Sequence, residues 1–447
     1  MQGKPALAST VEEKNMTDST SALDKGLGGY GSLAVAAGIG SMLGSGIIVG
    51  LSSTITVWQQ GFGLSNMQVG VLSGALTFAI AFGSLFGGRI ADAVGRIRFF
   101  NWINLLYAVG AAIVVFSGSY TMLLVGVVIA GVASGADLPV SMTVVSHDAP
   151  NDSLAARLVS TTQVYWQVGV FISFICAFLV SRMEGAAGGR VVFVILTVLA
   201  VIAWLWRTCS PTFRAFHEAA DRRDAAEPGI ESRAKVSVFK VMMGADKKMY
   251  LSFFAAILIF YVGWNLMANT WGQFQTFMLV NAHASQTLAT GMGIVLNFVT
   301  LILNIVFASI AGGKYRNKAF VAGIIITFVA MVALSLGGTN LWVIVGATAF
   351  MNLGSPLAGE ALYKVWTQES FPIEIRASIQ GFINGFSRLC CGLFALVTPA
   401  LVVPSTIRTT MWGFAGVVII EAIAGIIMIR LQARYGTDEE RRERSQR

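Results

Sequence analysis

The sequence predicts an all-α membrane protein of twelve transmembrane helices in two six-helix bundles, and three observations lead to this fold class. Of the 447 residues, 55% are hydrophobic and 12% are charged, and the mean hydropathy is +0.70. That composition excludes an ordinary soluble globular protein. Twelve long apolar runs follow one another, each of about the 20 residues that a bilayer crossing needs. A polar segment separates the first six runs from the last six.

The apolar runs predict where each half of the chain crosses the membrane. Helices are expected at 31–57, 67–88, 99–118, 121–146, 157–182 and 189–207, and then at 249–280, 286–311, 319–337, 341–369, 377–402 and 409–432. The chain therefore divides into a cytoplasmic N-terminal arm, a first bundle, a cytoplasmic linker, a second bundle and a cytoplasmic tail, at 1–30, 31–207, 208–248, 249–432 and 433–447. The polar arm is expected to be disordered.

Basic residues follow alternate loops of the predicted helices. The loops on one side carry Arg89, Arg96, Arg98, the basic residues of 207–248, Lys314, Arg316, Lys318 and the tail. The opposite loops carry only Arg182, Arg190 and Arg408. Because basic loop residues concentrate on the cytoplasmic side, we expect both termini in the cytoplasm and the protein in the plasma membrane. The net charge of +8 is spread over loops instead of one face, so no nucleic-acid partner is expected.

Few residues suggest covalent chemistry or metal binding. The four cysteines lie in apolar runs or at a helix end, and His147, His217 and His283 stand apart near helix ends. The sequence shows no nucleophile, base and orienting group at a known spacing and no nucleotide-binding loop. We therefore expect a protein that is not an enzyme and that holds no metal, cofactor or disulfide.

A short polar turn over 87–98 connects the second and third apolar runs. Gly88 is expected to end one helix and Gly95 to permit a tight reversal. Asp92 can pair with a neighbouring cation such as Arg96 in one conformation and lose that contact in another. An ordinary charged turn remains the alternative. The spacing of these residues resembles the signature loop of the major facilitator superfamily, and the resemblance implies a transporter in which two bundles rock about a central site.

Loops at corresponding positions in the two halves of the chain have similar sequences. Segment 87–96 recurs weakly at 312–316, as expected of a transporter built from repeats. Glu369 to Arg376 is similar to the Glu-x-x-Pro-x-x-x-Arg loop of the sugar porter group. In that group such loops form cytoplasmic salt bridges that latch the halves together. A helix stop at Pro372 flanked by interfacial charges is the alternative.

Ionisable residues at bilayer depth are functional candidates because their insertion is costly. Asp137 lies midway along the fourth predicted helix, and we interpret it as the carrier of a coupling proton. Glu360 and Lys364 are one turn apart and can form an intrahelical ion pair. Arg388 can pair with Asp137 or Glu360, or it can contact a solute. Glu421, in the last predicted helix, is expected to be peripheral.

Amides and an indole form a second set of candidates. Gln163 and Gln167 are four residues apart and share a helix face. The seventh predicted helix contains three further candidates, Asn265, Asn269 and Trp264. Amides offer both donors and acceptors and indoles stack on sugar C–H surfaces, so this lining suits a neutral polyhydroxylated solute. The competing interpretation is hydrogen bonding between helices.

The resemblance to known transporter groups is divided. Gln163 and Asn265 fall where the xylose and glucose porters place a sugar-binding Gln and Asn. Those porters carry an acidic proton site in helix one, but segment 38–53 contains no acidic residue. Asp137 before a proline, together with Arg388, resembles the metabolite:proton symporters, which include carriers of organic acids.

These observations lead to a transporter that imports a small polar solute by alternating access. A sugar or polyol, carried with protons, is the first interpretation. The alternative is an organic-anion symporter in which Lys364 and Arg388 bind a carboxylate. The expected partners are the solute, protons and the lipid bilayer, and we expect a monomer.

Overall fold

The chain is helical through nearly all of its described length. The computed structural model describes residues 29–149, 152–183, 185–226, 238–310, 315–338, 340–437 and 440. Within these ranges lie fifteen α-helices: α1 Gly31–Phe62, α2 Asn66–Val94, α3 Arg96–Val115, α4 Tyr120–Asp148, α5 Asp152–Leu179, α6 Ala187–Cys209, α7 Pro211–Ala226, α8 Val238–Met242, α9 Lys247–Asn281, α10 Gln286–Ile310, α11 Arg316–Gly337, α12 Leu341–Gly354, α13 Glu360–Ser370, α14 Ile373–Leu401 and α15 Ile407–Tyr435.

Twelve membrane crossings account for most of these helices. Among the described residues, ten helices are long and apolar enough to span a bilayer, and two shorter apolar segments, Val164–Leu179 and Leu341–Gly354, add to them. The first six crossings are α1 to α6, and the last six begin at α9, with α12 and α13 together forming the tenth. The predicted all-α fold of twelve transmembrane helices in two bundles is thereby confirmed. Most of the predicted arm and tail (1–28, 438–439 and 441–447) lies outside the described ranges.

Small residues let the helices of the first half approach closely. The backbones of α2 and α4 are so near at Gly135 that a Cβ atom there would overlap the Ile80 carbonyl. Pro139, one turn further along α4, removes the backbone donor that would reach the Gly135 carbonyl. Ser84 Oγ of α2 donates to that carbonyl instead, at 2.9 Å. Because lipid offers no hydrogen bonds, this replacement makes the proline tolerable within a transmembrane helix.

The junction between α2 and α3 differs in part from the prediction. Gly88 does not end a helix, because α2 continues to Val94 and only Gly95 separates it from α3. Residues from Arg89 to Val94 include no helix breaker, so the helix continues beyond its apolar stretch. The reversal at Gly95 is observed, with φ at +102°, a region that favours glycine. The side chain of Asp92 lies outside the described set.

The tenth crossing is broken, whereas the sequence analysis predicted one continuous helix over 341–369. The break falls at Pro356, whose ring has no N–H and clashes with the carbonyl four residues earlier in a continuous helix. Gly359 precedes α13, and a Cβ atom there would lie 2.5 Å from Trp264 Nε1. That indole nitrogen donates to Ser355 Oγ at 3.0 Å. The break therefore allows the Trp264 indole of α9 to pack against the backbone between α12 and α13.

The two halves are joined by hydrogen bonds at the end remote from Gly95. Thr56 Oγ1 of α1 donates to Gln286 Oε1 of α10 at 2.7 Å, and Gln286 Nε2 donates to the Ser53 carbonyl at 2.6 Å. The hydroxyls of Ser181 and Thr287 are 2.8 Å apart across the same boundary. We call this set, Ser53, Thr56, Ser181, Gln286 and Thr287, the far closure. Gln286 is its centre because its amide engages α1 twice.

We predict that Gln286→Ala loosens the far closure. The change removes two hydrogen bonds between the halves, worth about 1 to 2 kcal/mol together, or roughly a five- to thirtyfold shift toward separated ends. Spin labels at Met183→Cys and Ser405→Cys, in a background without the four native cysteines, should report longer distances by pulsed electron paramagnetic resonance.

Gln59→Ala is the matched control for this measurement. Gln59 Nε2 donates to Asn66 Oδ1 at 3.0 Å, so its loss removes an amide hydrogen bond at the same end but within the first half. The label distances in this control should match those of the parent. Equal lengthening in both variants would show that Gln286 has no particular part in holding the halves together.

Candidate functional site

A polar face of α5 lies toward the second half. Gln167, Phe174 and Phe178 are seven and four residues apart and therefore share one face of the helix. That face packs on α10, where a Cβ atom added to Gly293 would overlap the Phe174 ring. Gln167 is half-buried, and its Nε2 atom has no hydrogen-bond partner in the described part of the structure. Gln163 belongs to the same face by spacing, but its side chain lies outside the described set.

The amides of α9 are mostly engaged between helices. Asn265, Asn269 and Gln273 follow at four-residue spacing on one face. Gln273 Nε2 donates to Asn269 Oδ1 and to Thr77 Oγ1 of α2, both at 2.8 Å. Asn265 Nδ2 donates to Ser387 Oγ of α14, also at 2.8 Å. Hydrogen bonding between helices, one of the two interpretations open from the sequence, describes the contacts of Gln273 with Thr77 and of Asn265 with Ser387, whereas the bond to Asn269 lies within α9.

Trp264 belongs to an aromatic stack between α9 and α13. Its ring centroid is 5.6 Å from that of Tyr261, and Tyr261 stacks on Tyr363 with centroids 3.9 Å apart. Both tyrosines are buried, whereas Trp264 is half-buried. The stack therefore leaves part of one indole available for contact. The sequence analysis missed both tyrosines, although a tyrosine in an apolar run signals a ring that needs a polar neighbour.

Three charges of the second half lie near one another. Lys364 Nζ and Glu360 Oε1 are 2.8 Å apart on α13, and 38% and 43% of their side chains are exposed. The one-turn spacing thus produces the intrahelical ion pair considered from the sequence. Arg388 of α14 is half-buried and is a second cation that acts on Glu360. The cluster contains two cations and one carboxylate.

A polar face of α14, which the sequence analysis missed, lies beside this cluster. Asn384, Ser387 and Arg388 are three to four residues apart and share a face. The Asn384 Oδ1 atom is buried without a hydrogen-bond partner among the described residues. A Cβ atom at the neighbouring Gly385 would lie 3.4 Å from Leu85 of α2, so α14 is in contact with the first half here. The spacing of the polar residues around Arg388 was the available signal.

Asp137 is bound to a buried arginine of α6. Arg207 donates from Nη1 to Asp137 Oδ1 at 2.7 Å and from Nη2 to Oδ2 at 3.3 Å, and each residue is 2% exposed. Ser141 Oγ also donates to Oδ1, at 2.9 Å. The guanidinium further donates to the Ala36 carbonyl at 2.7 Å and the Phe100 carbonyl at 3.0 Å. Four helices, α1, α3, α4 and α6, therefore meet at this ion pair.

The partner of Asp137 is thus Arg207 and not Arg388, which was one of the possibilities left open. The sequence analysis missed Arg207 because it closes the sixth apolar run and was counted with the basic loop residues. Gly40 of α1 makes room for the pair, since a Cβ atom there would overlap Asp137 Oδ2. The proton-carrying role of Asp137 stays a prediction.

The predicted loop residues of the second half form a cluster within that half. Arg316 Nη1 of α11 is 2.6 Å from Glu369 Oε1 of α13. Gln432 Nε2 of α15 donates to Glu369 Oε2 at 2.8 Å. The cluster joins three helix ends of one bundle. The side chain of Arg376 lies outside the described set, so its part in a latch also stays a prediction.

A known family accounts for this architecture. The sequence matches over residues 33–395, most of its length, the family model described as the Major Facilitator Superfamily. The chain belongs to this superfamily. The prediction of a membrane transporter and not an enzyme is confirmed by this membership. Among the described residues of this facilitator, no group of three or more His, Cys, Asp or Glu side chains could hold a metal ion.

Known transporters are similar to this facilitator over most of its length. It is 28% identical over 402 residues to the minor myo-inositol transporter IolF of Bacillus subtilis, covering 88% of this chain and 89% of the relative. It is 24% identical over 373 residues to the niacin transporter NiaP of Acinetobacter baylyi, covering 78% and 81%. The crystal structure of a D-xylose-proton symporter superposes with a TM-score of 0.71 at 15% identity, covering 89% and 96%. That structural likeness shows the fold.

We predict that the ion pair between Asp137 and Arg207 stabilises the first half. Asp137→Asn or Arg207→Met alone should lower the free energy of unfolding by about 3 to 5 kcal/mol, because each leaves a buried charge without its partner. The double variant should recover much of that loss. Chemical denaturation of the purified facilitator in detergent, followed by circular dichroism, measures the effect.

Glu360→Gln provides the comparison for this prediction. It removes one charge of an ion pair that is more than a third exposed, and such pairs contribute about 1 kcal/mol or less. A loss for Asp137→Asn no larger than the loss for Glu360→Gln would contradict a stabilising role for the buried pair.

Proposed function

We propose that this facilitator imports a small neutral polyol or sugar, with an inositol as the leading candidate, by alternating access coupled to protons. The observation that carries the proposal is that two amide atoms, Gln167 Nε2 and Asn384 Oδ1, have no hydrogen-bond partner among the described residues and lie on helices that pack across the boundary between the halves. The myo-inositol transporter relative, 28% identical over most of both chains, supports the same solute class. The far closure is consistent with one of the two conformations that alternating access requires.

The amide atoms of Gln167 and Asn384 that have no described hydrogen-bond partner suit a hydroxyl-rich solute. A hydroxyl both donates and accepts, so it can serve the amide donor of Gln167 and the amide oxygen of Asn384. The half-buried ring of Trp264 offers a face for C–H groups. Glu360 and Lys364 neutralise each other at 2.8 Å, which leaves fewer free charges to select an ionic solute. In this proposal Asn265 and Asn269 exchange their helix contacts for solute contacts as the halves move.

Orientation and gating complete the proposal. Basic residues concentrate at the Gly95 end, so we place that end in the cytoplasm and the protein in the plasma membrane. Asp92 and Arg96 in the first half, with Glu369 and Arg376 in the second, are proposed to form salt bridges at that end in the alternate conformation. Their pairing and the far closure would then exclude each other.

Organic-anion transport is the second candidate, and Arg388 is the observation that favours it. Arg388 is half-buried, and the one carboxylate of its cluster already pairs with Lys364. A carboxylate solute could satisfy the remaining positive charge. The niacin transporter among the relatives, 24% identical to this chain, is consistent with such a solute.

We predict that the reconstituted facilitator exchanges labelled myo-inositol across vesicle membranes. Gln167→Ala should raise the half-saturating concentration about two- to tenfold, because it removes one hydrogen bond worth roughly 0.5 to 1.5 kcal/mol. Gln59→Ala, an amide lost within the first half, should leave that concentration unchanged. Exchange of nicotinate without exchange of any polyol or sugar would reject the neutral-solute proposal.

We further predict that neutralising the charged cluster separates the two solute classes. With a neutral solute, the Glu360→Gln, Lys364→Met double variant should express and keep its affinity within about threefold, since both charges vanish together. With an anionic solute, Arg388→Gln should cost about 1.5 to 3 kcal/mol, or roughly ten- to a hundredfold in affinity. Competition by organic acids but not by polyols, with that loss, would select the anion transporter.

A further inference from the structure

A buried carboxyl group lies in the last helix, away from the candidate solute site. Glu421 of α15 is 1% exposed, although its neighbours Ile419, Ile420 and Ile423 are about half exposed on the lipid side. The side chain lies inward against α9, where a Cβ atom added to Gly263 would be 3.6 Å from Glu421 Cβ. The expectation that Glu421 is peripheral is therefore wrong. The contact between Gly263 and Glu421 Cβ therefore joins α9 to the residue that carries the carboxyl group.

The carboxyl group has no cation near it in the described structure. The Glu421 Oε2 atom has no hydrogen-bond partner, and no described salt bridge includes the residue. The helices α9, α11 and α14 pack against α15. Their titratable side chains are Lys247, Lys248, Tyr250 and Tyr261 on α9, Arg316 and Lys318 on α11, and Glu374, Arg376, Arg388, Cys390 and Cys391 on α14.

The cations of this set whose side chains the structure describes are remote from Glu421 or engaged elsewhere. The lysines of α9 and the basic residues of α11 lie in the first turns of their helices, whereas Glu421 is about 20 Å along α15 from either end. Tyr261 is stacked on Tyr363. Arg388 forms no described ion pair with Glu421 and acts on Glu360. Glu421 therefore lacks the compensation that Arg207 gives to Asp137.

An ionised carboxylate without a partner costs several kcal/mol in the interior of a membrane protein. A bound proton would remove that cost, because a neutral carboxylic acid needs far less solvation. Asp137 is in the opposite situation, because Arg207 Nη1 lies 2.7 Å from its Oδ1 atom. Glu421 and Asp137 therefore differ in their surroundings, because only Asp137 has a cation beside it among the described residues.

We propose that Glu421 is a proton-binding site and that Glu421, in place of Asp137, carries the coupling proton of transport. The role in coupling rests on the proposed function, whereas the role in binding a proton rests only on the burial of the Glu421 carboxyl group. Gly263 is next to Trp264 and Asn265 on α9, so one helix contacts both the carboxyl group and the solute site. A tilt of α9 on solute binding would open the contact between Gly263 and Glu421 to water. The carboxylic acid would then release its proton to water on one side and take up another after the halves rock back.

Infrared difference spectroscopy of the full-length protein in vesicles tests the proton site. Between acidic and alkaline buffer, the wild type should show the carbonyl band of a protonated carboxyl group. Glu421→Gln should lose that band, Glu421→Asp should shift it, and Glu360→Gln should keep it unchanged. A wild type without the band, or a band that persists in Glu421→Gln, would overturn the proposal whatever the solute is.

Transport by the same vesicles tests the coupling. The rate at which Glu421→Gln exchanges labelled myo-inositol should stay within about twofold of the wild-type rate. The accumulation of myo-inositol that a pH gradient drives should fall at least about tenfold in this variant. Full accumulation in Glu421→Gln would show that the carboxyl group stays protonated for structural reasons and would overturn its coupling role. Absence of inositol exchange in the wild type, with the infrared band present, would reject the proposed function and leave the proton site supported.

Discussion

The buried ion pair between Asp137 and Arg207 is the interaction on which the first half of this facilitator depends. It draws together α1, α3, α4 and α6, and its charged atoms are satisfied by each other, by Ser141 and by two backbone carbonyls. A bilayer supplies no water to replace such contacts. The first bundle can therefore move as a unit, because separating any one of these helices would expose a charge to an apolar surrounding.

The same constraint distinguishes structural polar groups from functional ones elsewhere in the chain. Gln273 and Thr77 form a closed hydrogen bond, as do Ser84 and the carbonyl that Pro139 leaves without a donor. Gln167 Nε2, Asn384 Oδ1 and Glu421 Oε2 are left without partners in the described structure. A buried polar atom without a partner is costly, so its persistence suggests that a solute, a water or a proton completes it during the transport cycle.

Movement requires weak points as well as rigid units. The break at Pro356 divides the tenth crossing, and Gly95 alone separates α2 from α3. The far closure consists of neutral hydrogen bonds centred on Gln286 and includes no described ion pair. Bonds of this kind contribute about 1 kcal/mol each, so a few of them can be exchanged for others within the energy of solute binding. The arrangement combines bundles that resist deformation with a boundary whose hydrogen bonds can be exchanged.

The sequence by itself determined the fold class, because twelve apolar runs of bilayer length have no other stable arrangement than transmembrane helices. It also allowed the pair of Glu360 and Lys364, since one helical turn separates them. Only the tertiary structure decided that Asp137 pairs with Arg207, 70 residues away, that Pro356 interrupts a predicted helix, and that Glu421 lies inward. Local spacing specifies contacts within a helix. Contacts between helices depend on how the faces pack, which no local pattern contains.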